Sequence, residues 1–148
     1  VSTAAAGCPL CDGDGGLVVA RTAQLRIVRV LDEPAHPAFY RVIWQAHIAE
    51  FSDLPSADRH ACMDAVTEVE RVLRAVLRPT KVNLASLGNV VPHLHWHVIA
   101  RFEGDSHFPA PIWAAARREA QPVLAQPMVA VDAAIAQAFA QSLPSAMR

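Results

Sequence analysis

Residues 92–98, PHLHWHV, set His93, His95 and His97 two positions apart, with Leu94, Trp96 and Val98 in the gaps. On a helix, residues two apart point about 200° from each other, and three rings at that spacing would scatter. In a strand every second side chain faces the same way, so the three imidazoles form a row, roughly 7 Å from one to the next. Leu94, Trp96 and Val98 then occupy the opposite, buried face. Such a row has three readings. As structural residues the rings each need hydrogen-bond partners, a costly choice three times over on an apolar strand. As metal ligands, neutral imidazoles at alternate strand positions grip zinc, yet the motif holds no carboxylate to complete the set. As phosphoryl-transfer residues, one imidazole attacks phosphorus while its neighbours donate to phosphate oxygens, and no metal is required. The third reading makes the fullest use of a row.

The rest of the chain must supply a sheet and something to pack on it. GLVVA (16–20) and QLRIVRVL (24–31), separated by the short polar RTA, read as a hairpin. After the turn-forming DEPAHPA comes FYRVIW (39–44) as a third strand, then HIAEFSDL (47–54) as a short helical or irregular connector. A long helix starts near Ser56, an N-cap after Pro55, and carries Cys62, Val66, Val69, Leu73 and Val76 along one face. Asp58, Arg59, Asp64, Glu68, Arg71 and Arg78 avoid that stripe, Glu70 and Arg74 stand one turn apart for pairing, and Pro79 stops the helix. This run reads as core packing, with Cys62 among it. KVNLASL (81–87) and LHWHVIARF (94–102) give two further strands joined by GNVVP. Four prolines break the tail before MVAVDAAIAQAFAQSL (128–143), an Ala-rich segment of good helix propensity.

The chain of 148 residues, 53% apolar and 18% charged, suits one domain with a real core. Its formal charge of −1 and dispersed arginines lack the footprint of a duplex-binding protein. No apolar run approaches a membrane span, and VSTAAAGCPLC lacks the pattern of a secretory signal, so a cytoplasmic protein is expected. Three cysteines, an odd number, suit a reducing compartment better than a disulfide framework. Cys8 and Cys11 by themselves read as a redox pair, a zinc half-site or two buried thiols. A redox pair normally opens a helix after a strand, whereas CPLCDGDGGL runs into Gly-rich turn chemistry.

Val82 to Phe102, VNLASLGNVVPHLHWHVIARF, resembles the signature strand pair of the histidine triad (HIT) family of nucleotidyl hydrolases and transferases, whose motif is His-φ-His-φ-His-φ-φ with φ apolar. His93 through Ile99 fill it completely. A looser resemblance runs from residue 8 to about 102, through the Cys-x-x-Cys, the strands, the HIAEFSDL segment and the long helix. The resemblance implies an α+β fold, an antiparallel sheet flanked by the long helix, a homodimer, and a core at about 8–102 with 103–148 as an extension of unassigned role. It implies cleavage of a nucleotide at its α-phosphorus through a nucleotidyl-histidine intermediate, with dinucleoside polyphosphates or nucleoside phosphoramidates as substrate types. His95 would be the nucleophile within the triad of His93, His95 and His97, and His97 would donate to phosphate oxygens. Asn83 and the Gly88, Asn89 turn occupy the places that cradle phosphates, and Asp32 the place that binds ribose hydroxyls; a turn Asp is the plainer reading of the latter. Two residues depart from the pattern: Asn89 stands where many members carry Gln, and Ala100 where many carry Pro.

The resemblance also implies a structural zinc on Cys8, Cys11, His47 and His93, a closed Cys₂His₂ set, and no organic cofactor. His107, Phe108 and Trp113 would cover a nucleobase, meet a partner subunit or anchor the tail, while His36 and His60 read as surface residues. Two rivals to the enzyme remain: a nucleotide-binding or sensing module without turnover, and a zinc-dependent hydrolase with its metal on the histidine row.

Overall fold

The computed structural model describes residues 4–142. A short helix α1 (Pro9–Asp12) precedes the hairpin of β1 (Leu17–Arg21) and β2 (Leu25–Arg29), and β3 (Phe39–Trp44) follows. A single 3₁₀ turn (Phe51–Asp53) leads into α2 (Ser56–Leu77), then β4 (Lys81–Ala85), β5 (His95–Arg101) and α3 (Met128–Ser142). The sheet order is β1-β2-β3-β5-β4 with every pair antiparallel, the α+β arrangement expected. β5 lies between β3 and β4, so its side chains meet strand neighbours on both sides.

One sheet face holds the main core. Leu25, Ile27, Tyr40, Val42, Trp44, Val98 and Ala100 pack against Cys62, Val66, Val69 and Leu73 of α2 and against Val131, Ile135 and Phe139 of α3. Each such fully buried aliphatic side chain contributes about 1.5–3 kcal/mol. The segment after residue 102 is therefore part of the core: Asp132 on α3 also accepts hydrogen bonds from Arg29 Nε at 3.0 Å and Tyr40 Oη at 2.7 Å. Burial and that carboxylate push the Tyr40 phenol far above its usual range. Leu143, the last residue of the expected C-terminal helix, lies outside the described residues. Among the described residues no helix is long and apolar enough to cross a membrane.

Three local expectations change. Pro55, in extended conformation, caps α2 without a side-chain bond, and Ser56 is the first helical residue. Arg71 pairs with Glu68 at 3.4 Å, in place of the Glu70–Arg74 pair. The strand begins only at His95, so His93 is no part of a row: it sits in the preceding bend and is fully buried. The opposite sheet face is not open either. Segments 5–16 and 103–118 cover it through two small clusters, Cys8, Leu10, Val28 and Ile43 on one side and Val30, Phe39, Ile99 and Ile112 on the other. That cover buries the histidines.

Candidate functional site

Two centres meet at the start of β5. Pro9 at the first position of α1 starts a turn in which the amides of Cys11 and Asp12 bond to the Cys8 carbonyl, bringing both sulfurs to one side. His93 Nδ1 lies 3.5 Å from Cys8 Sγ and 3.5 Å from Cys11 Sγ, and His47 Nδ1 lies 3.4 Å from Cys11 Sγ. All four donor atoms fall within 4.8 Å of one another. A tetrahedral zinc site with ordinary bond lengths has S···N separations of about 3.6 Å, so the set fits a metal ion. The His93 ring is oriented for ligation, because Nε2–H donates to the Trp44 carbonyl at 2.6 Å and leaves Nδ1 as the free ligand atom.

The same residue orients the next. His95 Nδ1–H donates to the His93 carbonyl at 2.6 Å, and Nε2 has no protein partner among the described residues. His95 and His97 share a cleft of about 330 Å³ lined also by Arg41, Leu87, Gly88, Asn89, Val91 and Trp113. Their rings meet edge to face at 4.9 Å, and the His97 ring is flanked by Phe39 and by Trp113, each at 5.3 Å. Burial lowers the pKa of both, and the Arg41 charge lowers each further; His97 falls to about 3, with the His95 ring contributing. Both imidazoles are neutral near pH 7. A neutral ring with one nitrogen fixed and the other open can attack an anionic phosphorus.

Gly88 lines the cleft in the left-handed region at φ +72°, a conformation that favours glycine in the turn leaving β4. Asp32 is exposed in the turn after β2. Asn83 stands apart from the cleft: its Oδ1 accepts from Arg101 Nη1 at 2.8 Å. His36 is no surface residue. It is 3% exposed, with Nε2 3.2 Å from His107 Nδ1, because residues 105–108 fold back over it. His60 is exposed as expected. Arg101 and the amides of His107, Phe102 and Phe108 outweigh the burial of Asp105 and hold its carboxyl well below the usual range, which pins that fold-back.

Residues 18–104 match the HIT domain. This chain belongs to the HIT family. It is 30% identical over 106 residues to the AP-4-A phosphorylases of two Mycobacterium tuberculosis strains, a stretch covering 68% of this chain and 54% of the relatives. The chain thus spans about half the length of those curated relatives. Among solved structures, a histidine triad protein from Bradyrhizobium japonicum is 25% identical with a TM-score of 0.67, covering 88% of this chain and 92% of that one. A Zn-bound histidine triad family protein from Mycobacterium smegmatis shares the fold at 22% identity and a TM-score of 0.59, covering 91% and 94%. Within this HIT chain, Arg41 is the cleft residue that the histidine spacing does not point to. A signal for it exists in the sequence: a lone cation inside FYRVIW, an otherwise apolar strand segment, needs a reason.

Proposed function

We propose that this HIT protein is a nucleotidyl hydrolase or transferase that cleaves a nucleotide at its α-phosphorus through a nucleotidyl-His95 intermediate. One observation carries the reading: His95 Nδ1–H is tied to the His93 carbonyl, so the lone pair of Nε2 is free in the cleft shared with His97. That lone pair attacks the α-phosphorus, and the bond from phosphorus to the leaving group breaks with its electron pair leaving on that group. Water then attacks the same phosphorus, the P–N bond returns its pair to His95, and the water proton goes to the departed group. Neutral His97 offers a ring N–H to a phosphate oxygen, as do Asn89 and the backbone at Gly88. Asp32 takes the ribose hydroxyls. Asn83 enters only as the acceptor that holds Arg101. The name borne by the curated relatives supports a nucleotide substrate.

Zinc on Cys8, Cys11, His47 and His93 is structural in this reading, since four protein ligands leave no open position for water. The metal would tie the bend at His93 to the N-terminal segment and so steady the carbonyl that orients His95. The active form is a homodimer, to which the open edge of β4 and half-exposed Leu84 and Leu87 are suited. Free thiols at Cys8, Cys11 and Cys62 suit a cytoplasmic setting.

The test is a panel of a dinucleoside polyphosphate, a nucleoside phosphoramidate, an adenylylated amine and a nucleotide sugar with purified protein. Release of nucleoside monophosphate from at least one, abolished in His95→Ala, is expected. Binding across the panel with no turnover would replace the enzyme by a binding module, and activity lost on chelation while the fold persists would favour the zinc hydrolase.

A further inference from the structure

Four arginines project from the histidine-bearing face of the sheet; exposed Arg21 pairs with Asp14, and of the three more buried ones two are engaged at all three guanidinium nitrogens. Arg26 donates to the carbonyls of Leu10, Gly13 and Asp14 and to Gln45. Arg101 donates to both oxygens of Asp105, to Asn83 and to the Ala110 carbonyl. Arg41, between them, differs. It is the register partner of His97 on the neighbouring strand and lines the same cleft. Its Nη1 donates to the Gly15 carbonyl at 3.1 Å, but Nε is enclosed without any partner, and Nη2 makes no hydrogen bond among the described residues. No acid pairs with it there either; Asp32 and Glu33 act on it only from a distance.

The anchoring is built in. Gly15 adopts φ +80°, and a Cβ there would press on Leu10 Cδ2 at 2.6 Å, so a side chain at the residue whose carbonyl fixes Nη1 would strain the backbone and displace Leu10. Phe39 supports the guanidinium from below, with Cζ 5.6 Å from the ring centroid. Nε and Nη2 form the side-on edge of a guanidinium, the edge that takes two oxygens of one phosphate or carboxylate. A purely structural arginine would fill that edge with protein acceptors, as Arg26 and Arg101 do, because an unpaired enclosed donor costs about 1–3 kcal/mol. Here Nε is enclosed, and Nη2 alone is left free of protein partners beside the cleft of His95 and His97.

The geometry points to Arg41 as a specificity-determining residue whose free Nη2 binds the phosphate adjoining the attacked phosphorus, selecting substrates with a phosphate leaving group over those with an uncharged amine. This rests on the proposed function, with His95 as nucleophile in the same cleft. A cation at this point binds the leaving phosphate and offsets the charge that grows on it as the bond breaks. An amine leaving group has no oxygen for Nη2 to hold.

The experiment compares wild type, Arg41→Gln and Arg41→Lys on a dinucleoside tetraphosphate and on a phosphoramidate of the same nucleoside. Expected is a loss in kcat/KM of about 30-fold or more on the polyphosphate for Arg41→Gln, against about 3-fold or less on the phosphoramidate, with Lys recovering part through its charge. In parallel, calorimetric titration of the same proteins with a nucleoside diphosphate and its monophosphate should show Arg41→Gln weakening the diphosphate by at least about 10-fold more than the monophosphate. Equal losses on both substrates, or none, would overturn the assignment and leave Arg41 as an anchor for residues 12–16. A wild type that cleaves none of the four panel substrates contradicts the proposed function instead, and the titration then decides on Arg41 by itself.

Discussion

His93 links the two centres through different atoms. Its Nδ1 faces the cysteine pair, its Nε2–H is fixed on the Trp44 carbonyl, and its own carbonyl orients His95. The period-two spacing reads it as one of three rings on a strand, which holds for His95 and His97 alone; the bend that turns His93 away depends on contacts from residues 8, 11 and 47 that no local pattern contains. His97 makes folding pH-dependent. Its folded pKa of about 3 lies below the ordinary 6.5, so between those values the unfolded chain binds more protons and stability falls as pH drops through that window. Between pH 7 and pH 5 this one group removes about 2 kcal/mol of stability. Urea unfolding at both pH values should show His97→Gln losing less stability than wild type by about that amount, whereas parallel pH profiles would show that the buried imidazole is not the cause.

Among the elements, α2 is legible because a stripe of apolar residues at helical spacing marks the face it buries, here against the sheet and α3. Its start is harder to place because Ser56 has the chemistry of an N-cap, but Pro55 already fixes the extended residue before the helix. The N-terminal turn is a different case. α1 has four residues and one buried apolar side chain, Leu10, too little to hold it by packing alone. Its attachment rests on Leu10 packing with Val28 and Ile43, on Arg26 donating to the carbonyls of Leu10, Gly13 and Asp14 and, in the proposed zinc-loaded form, on the Cys₂His₂ set shared with His47 and His93. Chelation of zinc-loaded protein is expected to lower Tm by roughly 10 °C, with activity below the transition falling less than stability does. Metal-free protein from zinc-replete expression, melting normally and unaffected by added zinc, would rule the metal out.

Across the whole molecule, two irregular segments cover the histidine side of the sheet except at the cleft of His95 and His97, and α2 and α3 together cover the other side. The helix of the tail is readable from its composition, but its docking is not: three buried residues, Val131, Ile135 and Phe139, are diluted by alanines that give no clear apolar face. His36 escapes a local reading for a related reason, since the segment that buries it follows β5 and carries no periodic signal. If α3 is core, Ile135→Ala should cost about 2–5 kcal/mol in chemical denaturation, while Val129→Ala, 72% exposed on the same helix, should stay within about 0.5 kcal/mol. Equal, small effects at both positions would make the helix a dispensable appendage.

In the proposed function one bond is decisive, that from His95 Nε2 to the α-phosphorus. Its most direct test is a single-turnover reaction with nucleotide labelled at the α-phosphate, quenched rapidly into alkali, where a phosphorus–nitrogen bond to histidine survives. Wild-type protein should carry label that maps to His95 and disappears as nucleoside monophosphate is formed, and His95→Ala should carry none while still binding nucleotide. Full steady-state activity in His95→Ala, or label on another residue of the wild type, would contradict the claim.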